Sequence, residues 1–264
     1  MIRGGGDLAS GVVLRFARCG IQVIVTEIAA PLAVRRSVSF AQAVYEGQIQ
    51  IEEVQGVRAQ GADEINLALA AGKVPVLVDP GAEIAGLIHF DVVVDARMTK
   101  KVPAPFHSDG ALLIGLGPGF TAGENCQAVI ETKRGPFLGR VYWQGSAEPD
   151  SGLPDPVANH QADRVLRAPA DGILRNRVDI CSAVAEGEQI AEVGGQPVLA
   201  PFSGRLRGLL MDGLPVTRGL KIGDLDPRDD EQLCRVVSDK ALSVGGGALE
   251  AVLSVAELRR KLSG

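Results

Sequence analysis

The chain has 264 residues, 46% hydrophobic and 22% charged, with a net charge of −5. This balance supports a folded core and excludes disorder over the whole chain, while the acidic surplus excludes a basic surface for duplex DNA or anionic membranes. With 33 glycines and 4% aromatics, the composition favours tight backbone turns near a ligand over a platform for stacking bases.

The length allows one large domain or two small ones. Cys19, Cys126, Cys181 and Cys234 form no CxxC pair, and His89, His107 and His160 are scattered, so no metal site is expected. Nothing at the N-terminus reads as a signal peptide, and no apolar run nears the roughly 18 residues of a membrane span. Both point to a reduced cytoplasm with free thiols.

The first block, residues 1–143, opens on a very short strand, Ile2-Arg3, as though the native N-terminus were a few residues longer. Gly4-Gly5-Gly6-Asp7-Leu8-Ala9 then fits G-x-G-x-x-A, the turn that brings a phosphate to a helix N-terminus. Leu8, Val12, Leu14 and Phe16 are spaced for a buried helix stopped near Gly20. Ile21 to Thr26 is a buried strand closed by Glu27, where an acid binds a ribose hydroxyl. Gly4, Gly5, Gly6, Asp7 and Glu27 are therefore candidate cofactor-binding residues, although Asp7 repels a phosphate placed beside it. The alternative is a tight structural turn.

Arg35-Arg36 follow, a pair able to grip phosphate or carboxylate, or a solvated surface pair. Gln48 to Arg58 reads as a small hairpin. Asp63 is a plausible N-cap for a helix over Ile65 to Ala71, and Val74–Val78, Val92–Val94 and Ala111–Leu116 are further strands. Asp95, at the end of one of them, is a candidate general base or polar anchor, with Lys100 as an anion contact; use in a structural turn is the alternative. Gly115, Gly117 and Gly119 mark a second glycine loop able to form an anion nest. Beside it Cys126 is either a thiol of lowered pKa or an inert buried one. Ala128 to Thr132 leans toward strand. Strands alternating with helices predict an α/β class, a Rossmann-like N-terminal domain.

Residues 144–163 read as a linker rich in Pro, Gly, Ser and Asp. Residues 164–228 contain a repeat, in which Ala168-Pro169-Ala170-Asp171-Gly172 returns as Ala200-Pro201-Phe202-Ser203-Gly204, and Gly187 to Val193 as Gly219 to Leu225. Both matches share one offset, which predicts an all-β unit whose halves pack together. The repeat resembles the barrel-sandwich hybrid of biotinyl and lipoyl domains. Those families carry their cofactor on a Lys between the halves, where this chain has Val193-Gly194-Gly195-Gln196-Pro197. No biotin or lipoate is expected, and a docking or structural role remains. In the tail, residues 229–264, Leu249, Val252, Leu253 and Ala256 form one apolar helical stripe. Gly245-Gly246-Gly247 before it reads as a hinge, a close approach, or simple packing of a terminal helix.

No Ser-His-Asp arrangement, HExxH or Walker A sequence is present, and Glu52-Glu53 reads as solvated surface. Several strings taken together, among them IRGGGDLASG, DARMTKK, GLGPGFTAGENC, AVIETKRG, KIGDLDPR and SDKALSVGGGALEAVL, resemble the YqeB-type accessory proteins of the selenium-dependent molybdenum hydroxylase system. The resemblance covers nearly the whole chain. It implies a role in maturing molybdenum hydroxylases of the xanthine dehydrogenase type, with the apo-hydroxylase and other maturation factors as partners. It carries Gly4 to Asp7, Glu27, Arg35-Arg36, Asp95 to Lys100 and Gly115 to Gly119 as family-like segments.

The expected ligand is a small phosphate-bearing molecule, an NAD- or AMP/ATP-type nucleotide or a molybdopterin-type cofactor. An NAD-dependent oxidoreductase and a non-catalytic docking module for the apo-hydroxylase are the alternatives.

Overall fold

A computed structural model of the chain describes residues 1–106, 108–150 and 162–263. His107, His160 and residues 151–161 of the expected linker lie outside them. The chain forms two compact units, one of residues 1–31, 40–151 and 237–264, the other of residues 32–39 and 152–236. Residues 237–264, expected as part of a separate tail, therefore belong to the first unit. Residues 32–39, expected in the first domain, belong to the second.

The first unit is built on nine strands: β1 (Ile2–Arg3), β2 (Val25–Glu27), β3 (Gln48–Ile51), β4 (Val54–Arg58), β5 (Val74–Val78), β6 (Val92–Asp95), β7 (Leu112–Leu116), β9 (Ala128–Ile130) and β10 (Val141–Tyr142). Their order is β10-β9-β7-β6-β1-β2-β5-β4-β3, with β8 (Thr121–Ala122) and β11 (Gly145–Ser146) pairing apart from it. β11 lies inside the expected linker. The strands from β4 to β9 in this sheet are mutually parallel, and antiparallel β3 and β10 close its two edges. Runs such as VPVLV and VVVD are nearly all buried, as strands covered on both faces require.

Helices α1 (Asp7–Arg18), α2 (Ala43–Glu46) and α3 (Gly61–Ala70) lie between these strands, and α5 (Asp239–Ser254) and α6 (Ala256–Ser263) belong to the same unit. Ser238 caps α5 by accepting a hydrogen bond from the Ala241 N–H at 3.0 Å. The glycine run 245–247 is thus inside a helix, not before one. α1 is buried on several sides and packs along α5, which also covers β7, β9 and β10.

This arrangement corrects the expected fold class. A Rossmann domain winds a helix between successive parallel strands on both faces of the sheet. Here β5 to β6 is joined by one short 3-10 turn, and no α-helix joins β6 to β7 or β7 to β9 among the described residues. The late helix α5 covers that part of the sheet instead. The unit is a mixed α/β sheet.

The second unit carries β12 (Val165–Arg167), β13 (Gly172–Asn176), β14 (Ala183–Val184), β15 (Gln189–Val193), β16 (Gln196–Leu199), β17 (Gly204–Leu209), β18 (Pro215–Val216) and β19 (Lys221–Asp226), with the short helix α4 (Gln232–Arg235). They form two four-stranded antiparallel sheets, β12-β19-β17-β14 and β16-β15-β13-β18. The internal repeat is visible here: β13, β14 and β15 recur as β17, β18 and β19, and the halves exchange β14 and β18. The expected biotinyl/lipoyl hybrid is likewise corrected: the described residues of the unit form two separate four-stranded antiparallel sheets. The turn between β15 and β16 is two left-handed glycines, Gly194 and Gly195, and presents no Lys.

Candidate ligand site

Parallel strands bring their carboxyl ends to one edge of the sheet, and that edge is where open α/β sheets bind ligands. β1, β2 and β6 end there in Gly4–Gly6, Glu27 and Asp95, and β7 leads into the second glycine loop. The sheet therefore gathers most of the residues singled out above.

The glycine turn is used largely for close packing. Gly4 has φ +89°, and a Cβ there would lie 3.2 Å from Ala96 O and Arg97 N, so only glycine lets the turn settle on the backbone after β6. A Cβ on Gly5 would lie 2.7 Å from Ala41 N, whose N–H donates to Gly5 O at 2.8 Å. Gly6 differs, since a Cβ there meets nothing within 4 Å. Gly6 is the N-cap of α1 and gives it no side-chain cap, and Asp7 stands in the first turn.

Glu27 accepts hydrogen bonds from the N–H groups of Gly5 at 2.7 Å and Ile28 at 2.8 Å. The acid expected at a ribose instead satisfies a donor of the glycine turn itself.

Asp95 is only 3% exposed. Its carboxylate accepts from Arg3 at 3.3 Å and from the Arg97 guanidinium at 2.9 and 2.5 Å. A carboxylate that takes up a proton gives up such pairs, so this geometry favours an anchor over a general base. The Arg3 guanidinium lies 4.1 Å from the centroid of the Phe106 ring. Burial pulls Arg3 below its ordinary value, and Asp95 pushes back. Arg3 Nε is buried without a hydrogen-bond partner.

Asp95 opens onto a cavity of about 900 Å³, lined among others by Phe106, Phe120, Asn125, Cys126 and Trp143. That volume suits a small organic ligand. One wall is the segment Val102–Phe106, reached through a loop in which Met98 and Lys100 adopt left-handed backbone, φ +53° and +59°. Such non-glycine conformations cluster at functional sites. Lys100 donates to Asp150 at 2.7 Å.

The second glycine loop is a packing device. Cβ atoms on Gly115, Gly117 and Gly119 would meet Phe120, Thr132 and Lys101 O at 2.1, 2.4 and 2.3 Å. Gly117 N–H donates to Ile130 O at 2.9 Å, continuing the sheet instead of contributing to an anion nest.

Arg35 and Arg36 are not among the residues lining this cavity. They belong to the second unit, where Arg35 donates to the carbonyls of Leu233 and Val236, both at 3.1 Å, and Arg36 to that of Leu209 at 3.0 Å. Their side chains tie residues 32–39 to that unit.

Of the two readings of Cys126, the structure agrees with the inert buried thiol. Burial pushes its thiol up to about 11, with a hydrogen bond to the Gly115 backbone acting the other way. At pH 7 roughly one thiol in ten thousand is then thiolate. Native protein treated with iodoacetamide at pH 7 is expected to label at the exposed Cys19 and to leave Cys126 unmodified until denaturant is added. Peptide mapping reads this out, and fast native labelling of Cys126 contradicts the assignment.

Arg3, Phe106, Phe120 and Trp143 were not singled out by sequence reasoning. Arg3 carried a signal, a charged residue inside a short apolar strand just before the glycine turn. The aromatics carried none, being isolated in irregular chain.

Among the described residues there is no cluster of metal-ligating side chains, and no single helix is long and apolar enough to cross a membrane.

No family model matches the chain. It is 44% identical over 253 residues to Escherichia coli K12 YqeB, named an uncharacterized protein, covering 96% of this chain and 47% of that protein. The chain is thus YqeB-like along nearly its whole length, and spans about half the length of the curated relative it matches. Among solved structures, an aspartoacylase family protein from Mesorhizobium loti MAFF303099 is 13% identical, with TM-score 0.25, over 66% of this chain and 52% of that one. A succinylglutamate desuccinylase/aspartoacylase from Rhodobacter sphaeroides is 13% identical, with TM-score 0.26, over 87% and 88%.

Proposed function

We propose that this chain is a cytoplasmic accessory factor in the maturation of a molybdenum hydroxylase of the xanthine dehydrogenase type, and that its first unit holds a phosphate-bearing cofactor or precursor of molybdopterin or adenine-nucleotide kind. The observation that carries the ligand part is the aromatic-walled cavity at Asp95, beside a glycine turn that packs on residues 96–97. A flat heterocycle fits between aromatic walls. A phosphate reaches the open start of α1 at Gly6, where the helix dipole favours an anion. The placement in that system rests on the family resemblance of strings such as DARMTKK and GLGPGFTAGENC. The oxidoreductase reading loses support, because Glu27 is engaged by Gly5 and Ile28.

The test is a thermal-shift screen of the whole protein with NAD, NADP, AMP, ATP, CTP and molybdate, repeated with Gly6→Asp. The open space at Gly6 lets this variant fold while placing a carboxylate where the phosphate goes. A ligand at a hundred times its Kd adds about 2.7 kcal/mol of stability. The expected result is a shift with one nucleotide that is lost in the variant. A shift equally large in Gly6→Asp removes the phosphate assignment. Unchanged hydroxylase activity and molybdenum content in a strain lacking the gene removes the maturation role.

A further inference from the structure

We propose that Cys181 and Cys234 of the second unit form a redox-active dithiol that closes to an intramolecular disulfide by exchange with a low-molecular-weight disulfide. The two residues are far apart in sequence and converge on one atom. The Cys181 N–H donates to Leu206 O at 2.8 Å, and the Cys234 thiol donates to the same oxygen at 3.8 Å. Cys181 is among the neighbours that raise the pKa of the Cys234 thiol.

The backbone at this place is unusual. Cys181 has φ +76°, a left-handed conformation that a non-glycine residue adopts at a cost. Its carbonyl is held by the Arg205 guanidinium at 2.7 Å. Simple packing asks neither for this conformation nor for a second thiol on the same carbonyl.

The exposures set the order of events. Cys181 is half-buried, whereas Cys234, on α4, is 1% exposed. Burial and the neighbouring thiol push Cys234 up to about 12, and the charges of Arg205 and Arg207 pull the other way. The Cys181 thiolate therefore attacks first. It bonds to one sulfur of glutathione disulfide and expels one glutathione thiolate. The Cys234 thiolate then attacks the Cys181 sulfur, forming the internal S–S bond and expelling the second glutathione. The two thiol protons end on the two glutathione thiolates, the protein pair is oxidised, and the glutathione disulfide is reduced.

The test uses the full chain with Cys19→Ser, which removes the exposed thiol of the first unit. The protein is equilibrated in glutathione buffers of rising oxidised fraction, quenched in denaturant, alkylated and mapped by mass spectrometry. The expected result is joint loss of the Cys181 and Cys234 thiols with no glutathione retained. In Cys181→Ser the Cys234 thiol stays free. In Cys234→Ala the reaction stops at a glutathione adduct on Cys181. Full alkylation of both cysteines at the most oxidising end overturns the proposal. So does a stable adduct on Cys181 with Cys234 still free in the parent. The parent measurement decides by itself, whether or not the variants fold.

Discussion

Gly245→Ala lowers the melting temperature of the first unit and Gly246→Ala raises it, although the two residues are neighbours in one helix. A Cβ on Gly245 would lie 2.3 Å from Gly11 O of α1, and one on Gly11 would lie 2.0 Å from Ala241 O of α5. The two helices meet backbone to backbone, and no flexible side chain is present to yield. Overpacking of this kind costs about 1–3 kcal/mol or more, because the helices must part along a buried contact. Gly246 has nothing within 4 Å of its added Cβ. There alanine removes only the helix penalty of glycine, a gain of up to about 1 kcal/mol. For a folding unit of this size each kcal/mol moves the midpoint by about 2–4 °C, so the signs separate clearly in a melting curve. Gly247→Ala falls with Gly245, since its Cβ would lie 2.1 Å from Gly139 O. Equal stability of Gly245→Ala and the parent would show that the helices do not cross this closely.

Arg3→Met is the second large effect. Arg3 and Asp95 form an ion pair with side chains 7% and 4% exposed. Removing one partner strands a buried charge, which costs about 3–5 kcal/mol. Arg97 offsets part of the loss on the Asp95 side, since its guanidinium also reaches the carboxylate and is 29% exposed. Arg3→Met thus leaves Asp95 partly satisfied, whereas Asp95→Leu leaves Arg3 buried and unpaired and costs more. The double variant Arg3→Met, Asp95→Leu is expected to recover much of the loss, because Arg97 reaches solvent and the apolar pair keeps the volume filled. Chemical denaturation of the four proteins gives the coupling. A loss below about 1 kcal/mol in both single variants would mean that the pair is solvated in solution.

The same two places show what local pattern conveys and what it does not. Buried runs such as Val74–Val78 and Val92–Asp95 announce themselves through valine content, and the glycine turn after Ile2-Arg3 through its spacing. The repeat of residues 164–228 was likewise legible, because two motifs agreed on one offset and the strands follow that offset. These features depend on residues close in sequence. The winding of the sheet does not. Nothing in the connection from β6 to β7 says that a helix beginning only at Asp239 will cover those strands, so the Rossmann expectation failed while its strands formed.

Individual site residues divide the same way. Asp95 and Gly6 are legible as a strand end and a helix start because those are local signals. The partners of Arg35 and Arg36 are not legible in the sequence, because a guanidinium bonds phosphates and backbone carbonyls alike, and only the folded second unit sets Leu209, Leu233 and Val236 before them. Glu27 and Cys126 turned on the same point. Residue type and spacing by themselves determined which segments become strands, turns and repeats. Which donor meets which acceptor, and how much water each thiol or carboxylate keeps, was decided by contacts between residues distant in the chain, and those exist only in the tertiary structure.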